Sequence, residues 1–307
     1  MPYKSKIINY SKYIFAITQI VFIVAFIYLM NTSTMTETEL DNQLMNTKIT
    51  PSIDFDHHHR LWEQVLQQST ETVFNSTGIN YAKLHKNHEI LIKYTRLLQA
   101  VTSQQFERWT RNQQLSYLIN AYNAFSILLV AKHYINDDGE AIDSVKEIGG
   151  ILKSTWEIKI FNLLGKYKTL DDLEHIAIRQ NFNEPRIHFV LNCVSVGCPK
   201  LKTAPYIATL LDRQLEEATR DFILDPYKNR IDVKEETLYI SQIFDWYEVD
   251  FTTGTESVIN FVLQRITGDP LLRQKILEDY ELDFIAYDWM LNSVKNLRKI
   301  SLRHKND

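Results

Sequence analysis

The chain of 307 residues has few glycines and no surplus of positive charge, and each shortage excludes a class of protein. Eight scattered glycines leave no G-x-G-x-x-G and no G-x-x-x-x-G-K-[ST] motif, so a phosphate-binding loop is not expected. A net charge of −4 provides no clustered basic surface, and we expect no nucleic-acid partner. Hydrophobic residues make up 45% of the chain and charged residues 23%, which is typical of a globular protein.

Cysteine is also scarce, because Cys193 and Cys198 in the segment "RIHFVLNCVSVGCPKL" are the two in the chain. A C-x4-C spacing with one upstream histidine is not a standard zinc motif, so we predict no metal site and no cofactor. Two alternatives remain open for the pair. It forms a disulfide that closes a tight loop, or one of the two thiols is functional.

One long hydrophobic run lies near the N-terminus. Tyr13–Met30 contains 18 residues without a charge and would rise about 27 Å as a helix, close to the hydrocarbon thickness of a bilayer. Lysines precede the run and acidic residues follow it. The positive-inside rule therefore predicts a cytoplasmic tail (1–12), a transmembrane anchor (13–30) and a polar linker (31–53). The membrane would be a partner through this single-pass helix, and the rest of the protein would lie outside the cytoplasm. The alternative is a cleaved secretory signal.

The remaining chain predicts an α+β fold. Apolar residues recur at helical spacing before residue 112 and after residue 200, and a long helix is predicted at about 112–135. Residues 155–170 and 229–241 favour hairpins, and "RIHFVLNC" (186–193) is predicted as a buried strand. Between them a helix is predicted to begin in "TLDDLEHIAIRQ", with Thr169 and Asp172 as its capping box. We therefore expect one mostly helical domain (54–293) around a small central sheet, followed by a basic tail (294–307).

Polar residues interrupt the long helix and the strand. Asn120 and Asn123 share one helix face, and buried amides need partners. They line a polar cleft, or they bond the backbone of a neighbouring strand. Alternation along the strand would place Arg186, His188 and Asn192 on one face. It would also turn His188 away from Cys193 unless the strand ended early.

Five segments resemble a known family. They are "INAYNAF" (119–125), "LDDLEHIAIR" (170–179), "EPRIHFVLNCVSVGCPKL" (184–201), "ISQIFDWYEVDF" (240–251) and "AYDWMLN" (286–292). In this order they resemble the domain of unknown function 547, whose members are often exported or membrane-linked. The resemblance covers about residues 54–293. The usual cysteine segment is close to N-C-A-S-x-S-C-P, from which Val194 and Gly197 depart. The resemblance implies that the motif residues matter, and it adds Tyr287, Asp288 and Trp289 as lining.

We expect a thiol-dependent hydrolase or transferase that acts on an amide-like bond in a small-molecule or peptide substrate. By analogy with papain-like or transglutaminase-like cores, Cys193 or Cys198 would be the nucleophile, His188 the base and Glu174 its orienter. Asn120 or Asn123 would stabilise the oxyanion, and Arg186 and Asn192 would contact the substrate. The alternative is a non-catalytic binding or scaffold domain in which the cysteines form a structural disulfide.

Overall fold

The computed structural model describes residues 54–149, 154–252 and 257–303. The predicted cytoplasmic tail (1–12), transmembrane anchor (13–30) and linker (31–53) lie outside the described residues. The described part mixes helices with two small sheets, so the α+β prediction is confirmed.

Eleven α-helices are present in the described ranges. They are α1 (Arg60–Ser69), α2 (Tyr81–Lys86), α3 (Glu89–Gln99), α4 (Ser103–Glu107), α5 (Arg111–His133), α6 (Leu211–Ile223), α7 (Ile243–Trp246), α8 (Glu248–Thr252), α9 (Val258–Ile266), α10 (Pro270–Asp279) and α11 (Val294–Arg303). A π-helix spans Asp172–Arg179, and short 3₁₀ turns lie at Val145–Glu147, Thr155–Glu157 and Pro185–Phe189.

The strands form two separate sheets. β1 (Thr70–Val73) and β2 (Ser76–Ile79) make an antiparallel hairpin. β3 (Arg230–Asp232) pairs antiparallel with β4 (Thr237–Ser241), as predicted for residues 229–241. β5 (Glu281–Ile285) then pairs parallel with β4, which gives the order β3-β4-β5.

The central helix is α5, which confirms the helix predicted at about 112–135. It begins with a capping box, in which Gln113 Oε1 accepts from the Thr110 amide at 2.9 Å and Thr110 Oγ1 accepts from the Gln113 amide at 3.3 Å. Every residue from Gln114 to Ala131 is buried, because α2, α3 and the π-helix pack around it. Among the described residues it is the one helix long and apolar enough to cross a membrane, yet 94% of its most apolar window is buried in the protein. Such burial is typical of a core helix.

The strand predicted at 186–193 is wrong. Pro185 begins a 3₁₀ turn, and Glu184 caps it by accepting from the Arg186 amide at 3.1 Å. The Val190 and Leu191 amides then donate to the Ile187 carbonyl, each at 3.0 Å, so the backbone coils instead of extending. Residues 187–192 are all buried. A short segment that is apolar on every side looks the same as a buried strand in sequence, which is why the pattern misled.

The hairpin predicted at 155–170 is reduced to one bridge, between Leu163 and Tyr167. Leu164 and Gly165 both have positive φ (54° and 68°), as a tight turn of this kind requires. The predicted basic tail also differs. Val294–Arg303 forms helix α11, which packs so closely on the β1–β2 hairpin that a Cβ on Gly78 would lie 2.9 Å from the Cα of Val294.

An extended C-terminal segment, residues 288–293, joins distant parts of the chain. Its backbone bonds the loop between the cysteines through Val196 N to Met290 O and Asn292 N to Val194 O (2.8 and 3.1 Å). On its other side the Leu291 amide donates to Asp143 O at 2.8 Å. Tyr287, just before this segment, is thereby held with its hydroxyl within hydrogen-bond distance of both sulfurs.

Candidate functional site

A cavity of about 380 Å³ opens where the π-helix, the cysteine loop, α7 and the C-terminal segment meet. We call it the cleft. Its lining combines aromatic rings with acidic groups, imidazoles and one sulfur: Trp156, Trp246, Tyr247, Tyr287 and Trp289 with Asp171, Glu174, His175, His188 and Cys193. The sequence predicted one wall from α5 and the other from residues 186–193. The second segment lines the cleft through His188, Leu191 and Cys193, although it is not a strand, whereas α5 adds Tyr122 alone among the described lining residues.

His188 is held by a carboxylate from a distant part of the chain. Its Nε2 lies 2.6 Å from Asp250 Oδ2, and the guanidinium of Arg179 donates to both oxygens of Asp250 at 2.7 and 3.0 Å. Tyr247 stacks on the imidazole with ring centroids 3.9 Å apart. With the Nε2 proton directed at Asp250, the neutral ring leaves Nδ1 as a proton acceptor.

Burial of His188 favours this neutral form. Burial lowers the pKa of His188, although the hydrogen bond to Asp250 and the charge of Glu174 act in the opposite direction. Burial alone would raise the pKa of Asp250, but hydrogen bonds from His188 and Arg179 lower it well below its usual range. Asp250 is therefore an anion that fixes the ring, while His188 is an uncharged base.

Glu174 is buried in the cleft but does not orient His188. Tyr247 donates its hydroxyl proton to Glu174 Oε1 at 2.6 Å, so the predicted orienting role belongs to Asp250. Glu174 and His175 are neighbours on the π-helix, but their side chains point in different directions and have different partners. Arg179 donates to His175 Nδ1 at 2.8 Å, and His175 Nε2 lies 3.3 Å from Asp171. The Thr169–Asp172 capping box predicted for this helix is present, with reciprocal bonds of 3.2 and 2.9 Å.

Cys193 and Cys198 form a disulfide, and free cysteines are absent from the described residues. Of the two alternatives left open by the sequence, the structure therefore holds the paired form. Cys193 is partly exposed and lines the cleft, whereas Cys198 is buried. The Tyr287 hydroxyl lies 2.8 Å from the sulfur of Cys193 and 3.3 Å from that of Cys198. The Ser195 hydroxyl lies 3.2 Å from the Cys198 sulfur. Two neutral hydroxyl donors thus face the sulfur pair.

The loop that carries the cysteines is strained and firmly held. Val194 has φ +63°, a conformation that costs a β-branched residue energy and persists only where the surroundings impose it. Asn192 imposes it here. Its Oδ1 accepts from the Val194 amide at 2.9 Å, and its Nδ2 donates to Pro199 O at 2.7 Å. Asn192 is buried, so the loop is shaped by an internal amide and not by contact with a substrate.

The amides of α5 are sealed in the interior. Asn123 donates to Val190 O at 3.0 Å and accepts from the Asn192 amide at 2.8 Å. Asn120 bonds Tyr206 in the same reciprocal way, at 2.8 and 3.0 Å. Each side chain therefore bonds the backbone of another segment, as the structural alternative predicted, but that segment is coiled and is not a strand. At 0% and 1% exposure, neither amide can reach an oxyanion in the cleft.

Arg186 lies away from the cleft, in an ion-pair cluster. It donates to Glu184 at 2.7 and 2.8 Å and to Asp212 at 2.9 Å. These hydrogen bonds raise the pKa of its guanidinium above the usual value. The cluster ties the 3₁₀ turn before the cysteine loop to α6.

The comparisons with known proteins give one result. The family model described as "Protein of unknown function, DUF547" matches residues 106–223. Residues 106–223 are thus similar to the DUF547 family, and the matched part is less than half of the chain. No curated protein and no solved structure matches the chain.

The DUF547 match contains His188, Glu174 and both cysteines but ends before Asp250, Tyr247 and Tyr287. Sequence reasoning listed Tyr287 as lining but missed the roles of Asp250 and Tyr247. Both residues lie in the acidic and aromatic segment "DWYEVD" (245–250). That segment was the sequence feature that could have pointed to them, but no contact was predicted for it. Asp171, Glu174 and the two imidazoles are the acidic and basic groups of the cleft, and no group of three or more His, Cys, Asp or Glu in the described ranges is placed to hold a metal ion.

Proposed function

We propose that this domain is a cysteine-dependent hydrolase or transferase for amide-like substrates, with Cys193 as the nucleophile. The observation that supports it is that the Cys193 sulfur shares the cleft with His188, whose other nitrogen bonds Asp250. A sulfur, an imidazole and an orienting carboxylate are the components of a papain-like site. The comparison with papain-like or transglutaminase-like cores therefore concerns the groups of the site alone, and not the fold around them.

The disulfide must be reduced before the sulfur can react. An external dithiol supplies two electrons and two protons, is oxidised to its own disulfide, and leaves thiols on Cys193 and Cys198. Cys193 then passes its proton to His188 Nδ1, which is the free nitrogen of the ring. The hydroxyl of Tyr287 stabilises the resulting thiolate by donation. Burial raises the pKa of Tyr287, so this donor stays protonated.

Acyl transfer then follows in two balanced steps. The thiolate attacks the amide carbon, the C–S bond forms and the C–N bond breaks, and His188 returns its proton to the leaving amine. Water or a second amine next attacks the thioester, and the C–S bond breaks. The thiolate of Cys193 recovers a proton through His188.

The test is alkylation of the reduced protein by iodoacetamide at pH 7, with peptide mapping to separate the two cysteines. An imidazole-activated Cys193 should react about tenfold faster than its His188→Gln variant. His175→Gln is the matched control, because His175 lines the same cleft but bonds Arg179 and Asp171. Equal rates in the parent and the His188 variant would refute the proposal.

A second candidate is a binding or scaffold domain with a structural disulfide, and the paired state of the cysteines favours it. It predicts that the native domain contains no titratable thiol and that reduction leaves ligand binding unchanged. Reduced Cys193 would then alkylate no faster than an unstructured cysteine. Faster alkylation that depends on His188 would contradict this candidate.

The anchored, extracytoplasmic location is part of the proposal. It is supported by the uncharged run Tyr13–Met30 and by a disulfide, which persists in oxidising compartments. Alkaline phosphatase, which is active only after export, should be active when fused after residue 307 and inactive when fused after residue 12. The reverse pattern would contradict the orientation.

A further inference from the structure

The cleft contains an acidic side chain that lacks a cationic partner. Glu174 is 9% exposed and lines the cleft, yet no lysine, arginine or histidine of the described residues forms an ion pair with it. Its bonded neighbour is the neutral hydroxyl of Tyr247. Asp250, close by, is paired with Arg179 and His188. Arg179 acts on this carboxylate through space and forms no ion pair with it. A cationic ligand in direct contact would offset more of the cost of removing the carboxylate from water.

Part of the cleft lining is a continuous aromatic wall, made by Trp156, Trp246, Tyr287 and Trp289. The Tyr287 ring lies 4.5 Å from that of Trp289 and 4.9 Å from that of Trp246, and Trp156 meets Trp289 edge-on at 5.7 Å. Rings such as these attract cations to their faces. Two rings of the cleft already hold cations of the protein: Lys146 lies 4.4 Å from the Trp289 centroid and Arg179 lies 4.8 Å from that of Tyr247.

The charges of the cleft also favour a cationic ligand. Asp171 and Glu174 are among its described lining residues, which include no lysine and no arginine. Burial lowers the pKa of His188, so this imidazole adds no positive charge at neutral pH. An ammonium group in the cleft would therefore contact ring faces and a carboxylate. Lys146 and Arg179 lie against Trp289 and Tyr247, but neither is among the described lining residues.

We propose that the substrate carries a positively charged ammonium group, which binds between Glu174 and the tryptophan wall. The assignment of that group to an amide-like substrate rests on the proposed function. The binding step does not, because it uses neither thiol. It takes place in the disulfide form described above.

The test compares choline with 3,3-dimethylbutan-1-ol, a neutral molecule of the same shape, on the full chain with its disulfide intact. Binding is followed by tryptophan fluorescence and by calorimetry. We expect choline to bind about tenfold more tightly than the alcohol, the size of one cation–π and carboxylate contact. Glu174→Gln should reduce that preference to about twofold. Glu236→Gln, which removes a surface partner of Lys275, should leave it unchanged.

Trp289→Leu provides a second readout if the Glu174 variant does not fold, and it should weaken choline binding more than alcohol binding. Equal affinity for the two molecules, or a preference that survives both substitutions, would overturn the proposal. Binding of a neutral sugar such as glucose without binding of choline would do the same. If choline is preferred but alkylation of Cys193 does not depend on His188, only the thiol chemistry is refuted. If alkylation depends on His188 but choline is not preferred, only the ammonium site is refuted.

Discussion

Two buried histidines in different regions of the molecule, His59 and His188, both have a lowered pKa but have different surroundings. His59, at 1% exposure, lies against Phe55 and bonds the Tyr94 hydroxyl through Nδ1 at 2.7 Å. Its buried Nε2 finds no hydrogen-bond partner among the described residues. His188, at 4% exposure, has a carboxylate on one nitrogen and faces a cavity.

Burial lowers the pKa of both rings, to about 3 for His59. In the first region nothing opposes burial strongly, and the ring is a neutral packing element. In the second, Asp250 and Glu174 oppose it, so the ring remains able to accept a proton. A lowered pKa is therefore not itself a sign of function. The partner and the access to a cavity distinguish the two.

The largest expected effect is loss of stability in acid through His59. Its folded pKa of about 3 lies below the unfolded value of 6.5, so between these values the unfolded chain binds more protons. The free energy of unfolding should fall as the pH drops through this window, by about 2 kcal/mol at pH 5 and about 4 kcal/mol at pH 3 from this group. Urea unfolding from pH 7 to pH 4 measures it.

The variant His59→Asn isolates this effect. Asparagine tolerates the backbone φ of 52° at this position and keeps a polar atom near Tyr94, but it does not titrate. Its stability should change much less between pH 7 and pH 4. His58→Asn, at the exposed neighbour, is the control and should retain the parent slope. Parallel pH curves for His59→Asn and the parent would contradict the account of the first region.

Asp250→Asn removes the anion that pairs with His188 and Arg179. His188 should then resemble His59, which is a buried imidazole without a carboxylate partner. We expect it to lower the free energy of unfolding at pH 7 by about 2–3 kcal/mol, the range for hydrogen bonds to charged groups. The folded pKa of Asp250 is lowered, so its stabilisation is complete above the unfolded value near 4 and is lost as the pH falls below it.

The difference between the parent and Asp250→Asn should therefore be constant from pH 7 to pH 5 and smaller at pH 3. Asp171→Asn is the control, since its half-exposed pair with His175 should contribute less than about 1 kcal/mol. A deficit for Asp250→Asn that stays the same at pH 3 would show that the carboxylate is not the group responsible.

Gly197→Ala tests the sulfur side of the cleft without touching either histidine. A Cβ at this position would lie 2.8 Å from the Tyr287 ring, so the ring must move away from the sulfurs. The expected cost is about 1–2 kcal/mol for overpacking, with a change in the near-ultraviolet signal of the aromatic wall. Gly268→Ala, which meets nothing within 4 Å, is the control. Unchanged stability and spectrum would mean that the ring is not fixed by this contact.

Local sequence patterns predicted the helical parts of the fold well. The apolar run at 112–135 became α5, and the capping box of Thr169 and Asp172 formed as expected. Such features depend on neighbours three or four residues apart. The strand at 186–193 failed because a Pro185 turn and burial on every side produce the same composition as a buried strand.

The site was predictable only in part. His188 and Cys193, both named from the sequence, line the cleft, yet the carboxylate bonded to His188 lies 62 residues away, and Tyr247 lies 73 residues from Glu174. No local spacing encodes such pairs. Asn120 and Asn123 look like cleft residues in the sequence, because a polar side chain in an apolar helix must have a hydrogen-bond partner. The sequence does not show whether that partner is the protein backbone or a substrate.

The most direct test of the central claim is the pH profile of iodoacetamide alkylation at Cys193 in the reduced protein. An imidazole-activated thiol should show an apparent pKa clearly below the ordinary value near 8.5, and His188→Gln should return it to that value. A profile near 8.5 in the parent, unchanged by the His188 substitution, would contradict the claim that this cleft activates sulfur.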